Sequence, residues 1–206
     1  MTLKFFYGPR TCALASRIAL EEAGADYEPV KVDFATAEQT KPAYLAINPK
    51  GRVPALVTDR GVLTENVAIL AFIAQSYPHR KLAPLDDPFA FAEMQAFNSY
   101  LASTVHVNHA HKHRGARWAT LESSFADMRA KVPETMAASF TLIERDFLKG
   151  PWVMGEAYTV ADAYLFTVSR WLEGDGVDVN RFPRVAAHMR AMEQRPAVQA
   201  ALAGEQ

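Results

Sequence analysis

Strand signals occupy only the front of this chain and stop at a proline-rich stretch, Pro84 to Pro88. Ahead of it, short apolar and aromatic runs alternate with helical spacing. Beyond it, every periodic segment is helical. That switch predicts an α/β domain followed by an all-α domain. The predicted boundaries are residues 1–80 for the first domain, 81–88 for the linker and 89–206 for the second. The chain has 206 residues, half of them hydrophobic, which is enough for two small cores.

Within the first domain, Leu3 to Tyr7 reads as a strand and Gly8-Pro9-Arg10-Thr11 as a turn. Cys12 to Ala23 has helical spacing and is closed by Gly24. Tyr27 to Phe34 alternates like a second strand, with Pro29 suited to an edge. A short helix is expected around Pro42 to Leu45. Ala55 to Thr58 and Val62-Leu63 form a hairpin about Asp59-Arg60-Gly61. A helix follows at Val67 to Ser76, and the strand–helix–strand opening implies a parallel crossover. The sum is a thioredoxin-like layout. In the second domain, helices are predicted over Phe89 to His113, Leu121 to Ala130, Glu134 to Leu148, Val160 to Trp171 and Pro183 to Glu193, forming a helical bundle.

The balance of 22 basic and 23 acidic residues argues against nucleic acid or an anionic membrane as the main partner. The single cysteine, Cys12, cannot make an internal disulfide. The opening residues do not read as a signal peptide, and no apolar run reaches the ~18 residues of a membrane span. A cytoplasmic protein is the expectation.

Three places carry candidate chemistry. Cys12 falls in the first turn of a helix, where N–H groups and the helix dipole favour a thiolate; the same position also suits a small core cysteine. Val53-Pro54 starts a strand, and a cis bond there would leave the main chain of Val53 unpaired at a sheet edge, open to an added extended peptide. In Thr64-Glu65-Asn66, Asn66 is placed to cap a helix whose N-terminus attracts a carboxylate, and Glu65 to hold an ammonium. Together these match an amino-acid head group.

The same segments resemble a known family. Phe6-Tyr7-Gly8-Pro9-Arg10-Thr11-Cys12-Ala13-Leu14-Ala15-Ser16 looks like the opening of the bacterial beta-class glutathione transferases. Asn48-Pro49-Lys50-Gly51-Arg52-Val53-Pro54-Ala55-Leu56 is similar to their cis-proline segment. Leu63-Thr64-Glu65-Asn66-Val67-Ala68-Ile69 resembles their γ-glutamyl-binding segment. Tyr158-Thr159-Val160-Ala161-Asp162-Ala163 resembles their buried capping motif, with Thr159 and Asp162 as a structural cap. The resemblance covers nearly the whole chain.

The resemblance implies an enzyme that binds glutathione as a substrate, with no metal. Its thiol would be transferred to an apolar electrophile or exchanged with a disulfide. By matching positions, the glutathione contacts are Thr11, Cys12, Arg52, Val53, Pro54, Glu65, Asn66, Ser103 and His106, with Cys12 and His106 catalytic. Tyr7 and Thr11 remain alternatives to Cys12 for activating the thiol. A homodimer is implied as the assembly. The pattern departs at Val107 and near Ala37, where the family carries lysines. It also departs at Asn66, where Gly or Ser is usual, and at Ser99, where the family has an Asn and this chain has Asn98 alongside. The missing lysines keep open a glutathione-binding protein with little turnover. A dedicated disulfide reductase or dehalogenase using Cys12 also stays open. His106, His109 and His113 share a helical face on which a metal site is conceivable. Phe97, Tyr100, Trp118 and Trp171 are candidates to wall an apolar pocket.

Overall fold

A computed structural model describes residues 3–205. The chain divides into two compact units, Met1–Phe91 with Glu193–Gln206, and Ala92–Met192. The first unit holds β1 (Leu3–Tyr7), α1 (Ala13–Ala23), β2 (Tyr27–Lys31), α2 (Pro42–Leu45), β3 (Ala55–Thr58), β4 (Gly61–Thr64) and α3 (Asn66–Ser76). The sheet order is β2-β1-β3-β4. β1 runs parallel to β2, from Leu3 opposite Tyr27 to Tyr7 opposite Lys31, and β3 is antiparallel to both β1 and β4. This is the mixed sheet of a thioredoxin-like domain. Pro29 lies on β2, an edge strand, where a missing N–H costs no interior ladder bond.

Alternation along β1 buries Leu3, Phe5 and Tyr7 and leaves Lys4 exposed. Phe5 and Leu56 join Leu14, Ile18 and Leu20 of α1 and Ile69, Leu70 and Ile73 of α3 among the residues withdrawn from water. Each such side chain contributes roughly 1.5–3 kcal/mol on burial. Gly24 ends α1 at φ 63°, a left-handed conformation that suits glycine, and its N–H bonds back to Glu21 and Leu20.

α4 (Pro88–Tyr100) leads into the second unit, which continues through α5 (His106–Ala110), α6 (Glu122–Leu142), α7 (Val160–Ser169) and α8 (Pro183–Glu193). Two sequence expectations change here. The single helix expected over 89–113 widens into a π-type turn at Leu101–Val105, then ends at Ala110. Beyond it three- and four-residue bonds mix, with His113 N–H and Arg114 N–H both reaching Ala110 O at 3.3 and 2.9 Å, so His113 lies past the end of α5. Conversely, the break expected near Pro133 does not occur, and α6 runs through it. The buried face continues as Val132, Met136, Ser139 and Phe140, which offsets the roughly 3 kcal/mol an interior proline costs.

All of α7 is buried, and its start is organised by one carboxylate. Asp162 accepts the N–H of Thr159 at 2.7 Å and of Val153 at 2.7 Å, the Thr159 hydroxyl at 3.2 Å, and sits 3.0 Å from His188 Nε2 on α8. The fully buried charge is thereby surrounded by donors, as burial requires.

α9 (Pro196–Ala203), outside any helix expected from the sequence, returns the chain end to the first unit. The predicted extent of the helical domain, 89–206, therefore differs from the observed grouping at its end. Val198 and Ala201 are buried, Arg195 clamps Glu22 of α1 at 2.5 and 2.9 Å, and Gly204 O accepts from Tyr7 Oη at 3.0 Å and Arg17 Nη1 at 2.7 Å. Among the described residues no helix is long and apolar enough to cross a membrane.

Candidate functional site

The turn between β1 and α1 presents three candidate nucleophile activators, and the structure separates them. Tyr7 is buried, and its hydroxyl donates to Gly204 O under the Arg17 guanidinium, 4.7 Å from the ring centre. Thr11 donates its hydroxyl proton to Gly8 O at 2.7 Å and accepts Ala13 N–H at 3.2 Å, so it closes its own turn and caps the start of α1. Cys12, partly exposed, occupies the N-cap of α1 without capping it. Its thiol instead donates to Val53 O at 3.6 Å, across 41 residues of sequence.

Val53 lies just before β3, and Val53-Pro54 is cis. Its position is not the sheet edge expected from the sequence, since β3 is an inner strand. The β1–β3 and β3–β4 ladders both end at Ala55, opposite Phe6 and Thr64, so Val53 and Pro54 extend beyond paired backbone. The loop ahead of them is fixed from below. Arg52 O accepts Tyr44 Oη at 2.7 Å and Asn48 Nδ2 at 2.6 Å, while the Arg52 side chain faces solvent. Burial pushes the Tyr44 phenol up to about 12, keeping it a neutral donor.

Glu65 starts α3 at φ 72°, in the left-handed region that a non-glycine residue rarely adopts. Its carboxylate does hold an ammonium, but it is the chain's own. Lys50 Nζ lies 2.5 Å from Glu65 Oε1 and 2.7 Å from Thr64 Oγ1. Asn66 corrects a second expectation. It does not cap α3; it is the first helical residue, buried, and ties α3 to α1. Its Oδ1 accepts Ser16 Oγ at 2.6 Å, and its Nδ2 donates to Cys12 O at 2.7 Å. A small residue at this position would leave the Cys12 carbonyl without that donor. Cys12, Val53, Glu65 and Asn66 are thus linked through hydrogen bonds and adjacent strand ends, with Lys50 and Ser16 as members that their sequence positions do not announce. Ala37, exposed at φ 52°, supplies no charge.

The second unit contains its own polar cluster. Ser103 is exposed on the π-type turn, and the His106 ring packs on Trp171 at 5.0 Å. His109 stacks on the same Trp171 at 4.3 Å, and its Nδ1 meets the buried carboxylate of Asp175 at 2.7 Å. Lys112 Nζ stands 3.6 Å from the other Asp175 oxygen. His113 is held below the usual histidine range by burial first, then by Lys112, His109 and Arg129. Asp175 lies 66 residues from His109, and no periodicity connects them. Asn98 is fully buried and donates to Gln95 at 3.0 Å, whereas Ser99 is exposed. The aromatics do not form one wall. Phe97 and Tyr100 meet Phe147, Trp118 meets His111, and Trp171 meets the two histidines. Among the described residues no three His, Cys, Asp or Glu side chains gather as metal ligands.

Comparison with known proteins gives this arrangement a family. Residues 1–75 match the glutathione S-transferase N-terminal domain, and residues 122–191 its C-terminal domain. Glutathione S-transferase GstA of Escherichia coli O157:H7 is 36% identical over 206 residues, 98% of each chain. The crystal structure of a glutathione transferase homologue from Sulfitobacter, with bound glutathione, matches at a TM-score of 0.96 and 52% identity, covering 98% of each chain. The bacterial beta class glutathione S-transferase of Sphingomonas chungbukensis matches at a TM-score of 0.85 and 33% identity, again over 98% of each chain. With both domain models matched in order and full-length relatives on either side of one-third identity, the chain belongs to the glutathione S-transferase family.

Proposed function

We propose that this transferase binds glutathione along the first unit and uses Cys12 as the side chain facing its sulfur. The observation that carries the reading is the Cys12 thiol 3.6 Å from Val53 O. The extended main chain at Val53 and Pro54, beyond both ladder ends, suits pairing with the cysteinyl residue of the tripeptide. A thiol resting against that segment lies where the substrate's own sulfur has to come. Glu65 suits the γ-glutamyl ammonium, and the N-terminus of α3 its carboxylate. Thr11, Arg52 and Pro54 shape the surrounding backbone, and Asn66 acts through its hold on the Cys12 carbonyl. Ser103 and His106 are assigned by their matching positions.

In conjugation, the glutathione thiolate attacks an apolar electrophile. A carbon–sulfur bond forms, the leaving group departs with its electron pair, and the site contributes orientation and thiolate population. In disulfide exchange, the Cys12 thiolate attacks the glutathionyl sulfur of a mixed disulfide. The partner leaves as a thiolate, and the thiolate of a second glutathione then attacks the glutathionyl sulfur held on Cys12, releasing oxidised glutathione and regenerating the Cys12 thiolate. Tyr7 and Thr11 have their hydroxyl protons committed to Gly204 O and Gly8 O, which favours Cys12. A cytoplasmic homodimer is the proposed setting. Exposed Phe89 and Val62 suit a covered interface, which sedimentation tests as a doubled mass.

Paired assays with chlorodinitrobenzene and a glutathione mixed disulfide test the mechanism. Cys12→Ala is expected to abolish the disulfide reaction and to lower conjugation by a smaller factor. Undiminished disulfide turnover in that variant refutes the assignment, and glutathione binding with neither activity refutes the enzyme reading.

A further inference from the structure

Lys50 is absent from every sequence-derived role, yet its ammonium occupies the carboxylate that the proposed site offers to glutathione. Nζ sits 2.5 Å from Glu65 Oε1 and 2.7 Å from Thr64 Oγ1, using two of its three donors. Glu65 is held at a positive φ, which sets the backbone its carboxylate projects from, and Lys50 reaches that carboxylate through a flexible four-carbon stem. The lysine's main chain is anchored separately. Lys50 N–H donates to Asn48 Oδ1 at 3.2 Å, Gly51 N–H to Asn48 O at 2.9 Å, and Asn48 and Tyr44 hold Arg52 O. None of these loop bonds uses the ammonium.

We propose that Lys50 is a built-in competitor for the γ-glutamyl subsite: its ammonium takes the place of the ligand's α-ammonium on Glu65 and is displaced when glutathione binds. The inference rests on the reading that Glu65 receives that ammonium. A second ammonium brought to the same carboxylate is repelled by the first, so ligand and lysine compete for Glu65. Lys50 and Glu65 side chains are 42% and 60% exposed, and an ion pair this open to water is worth at most about 1 kcal/mol. The competition therefore tunes affinity by a factor of up to ~5 and does not gate the site. It sets the affinity for the free-amine tripeptide below what Glu65 alone would provide, which favours release of products carrying the same head group.

Calorimetric titration of the wild type, Lys50→Met and Lys50→Arg with glutathione and with N-acetyl-glutathione tests this. The acetylated ligand has no ammonium and leaves the Lys50–Glu65 pair in place. Lys50→Met is expected to tighten glutathione binding about 2- to 5-fold and to leave the acetylated ligand unchanged, widening the gap between the two. Lys50→Arg keeps the wild-type gap. Weaker glutathione binding in Lys50→Met makes the lysine a ligand contact and overturns the proposal. Equal shifts for both ligands assign it a loop role and also overturn it, as does no shift for either. The underlying reading is judged on Lys50→Met alone, where no competitor masks the site: equal affinity for the two ligands in that variant refutes an ammonium site at Glu65.

Discussion

Cys12, Val53 and Asn66 act on one another through single atoms. The Asn66 amide joins Ser16 Oγ to the Cys12 carbonyl in a buried setting, so it fixes the backbone that carries the thiol. Asn66→Ala removes the acceptor of Ser16 Oγ and one donor of the Cys12 carbonyl, which keeps the Ala15 N–H at 3.2 Å, and a loss of about 1–3 kcal/mol is expected in denaturant unfolding. The turnover lost with it should appear even where the variant is folded. Tyr44 supports Val53 from the other side. Its phenol is pushed up to about 12, above the ordinary value near 10. The folded state thus keeps its proton where the unfolded state has lost it. That stability is fully present below pH ~10 and is lost as pH rises toward 12. Tyr44→Phe should cost about 0.5–1.5 kcal/mol at neutral pH and flatten the alkaline decline of Tm between those values. An unchanged alkaline slope in the variant contradicts this assignment. The sequence discloses Cys12, Val53 and Glu65 because each sits beside a local marker, a turn, a proline or a helix start. Lys50 and Asp175 stay hidden, since only folding brings them to Glu65 and His109.

At the scale of elements, strands and short helices follow local chemistry closely. β1 keeps its predicted limits because alternation and the Gly8-Pro9 turn agree, and α2 begins at Pro42, where a first-turn proline costs nothing. A proline misleads where tertiary burial overrides it: Pro133 is carried inside α6 by the buried face around it, whereas Pro196 opens α9, a helix outside those expected, at the first-turn position a proline suits. The start of α7 rests on Asp162, whose four partners come from its own cap, the Trp152 loop and α8. Asp162→Ala is expected to cost about 3–5 kcal/mol, because two backbone N–H groups and His188 lose their acceptor together. Asp162→Asn, keeping one oxygen, should cost less. Equal, small losses in thermal unfolding would show that the cap is dispensable.

For the molecule as a whole, the notable feature is that the first unit is completed by the last helix. Tyr7 and Arg17 both donate to Gly204 O, and Glu22 is clamped by Arg195. The turn that presents Cys12 is thus braced by residues nearly two hundred positions away, which no local pattern reveals. Ending the chain at Gln194 removes this brace and the burial of Val198, and should lower stability by about 3 kcal/mol or more, a fall in Tm of roughly 6 °C or greater. An unaltered Tm would mean that α9 only decorates the unit. The two-domain plan itself was plain from the end of strand signals near residue 84, whereas the return of the chain end was not, because α9 carries no charge pattern or motif pointing at α1.

The central claim is that Cys12 is the residue that meets the glutathione sulfur, and the chain's single cysteine makes it directly measurable. Intact-mass spectrometry after incubation with oxidised glutathione should find one glutathionyl group per chain, removed by excess reduced glutathione and absent in Cys12→Ser. A protein that binds glutathione, as judged by calorimetry, yet forms no such adduct would contradict the account.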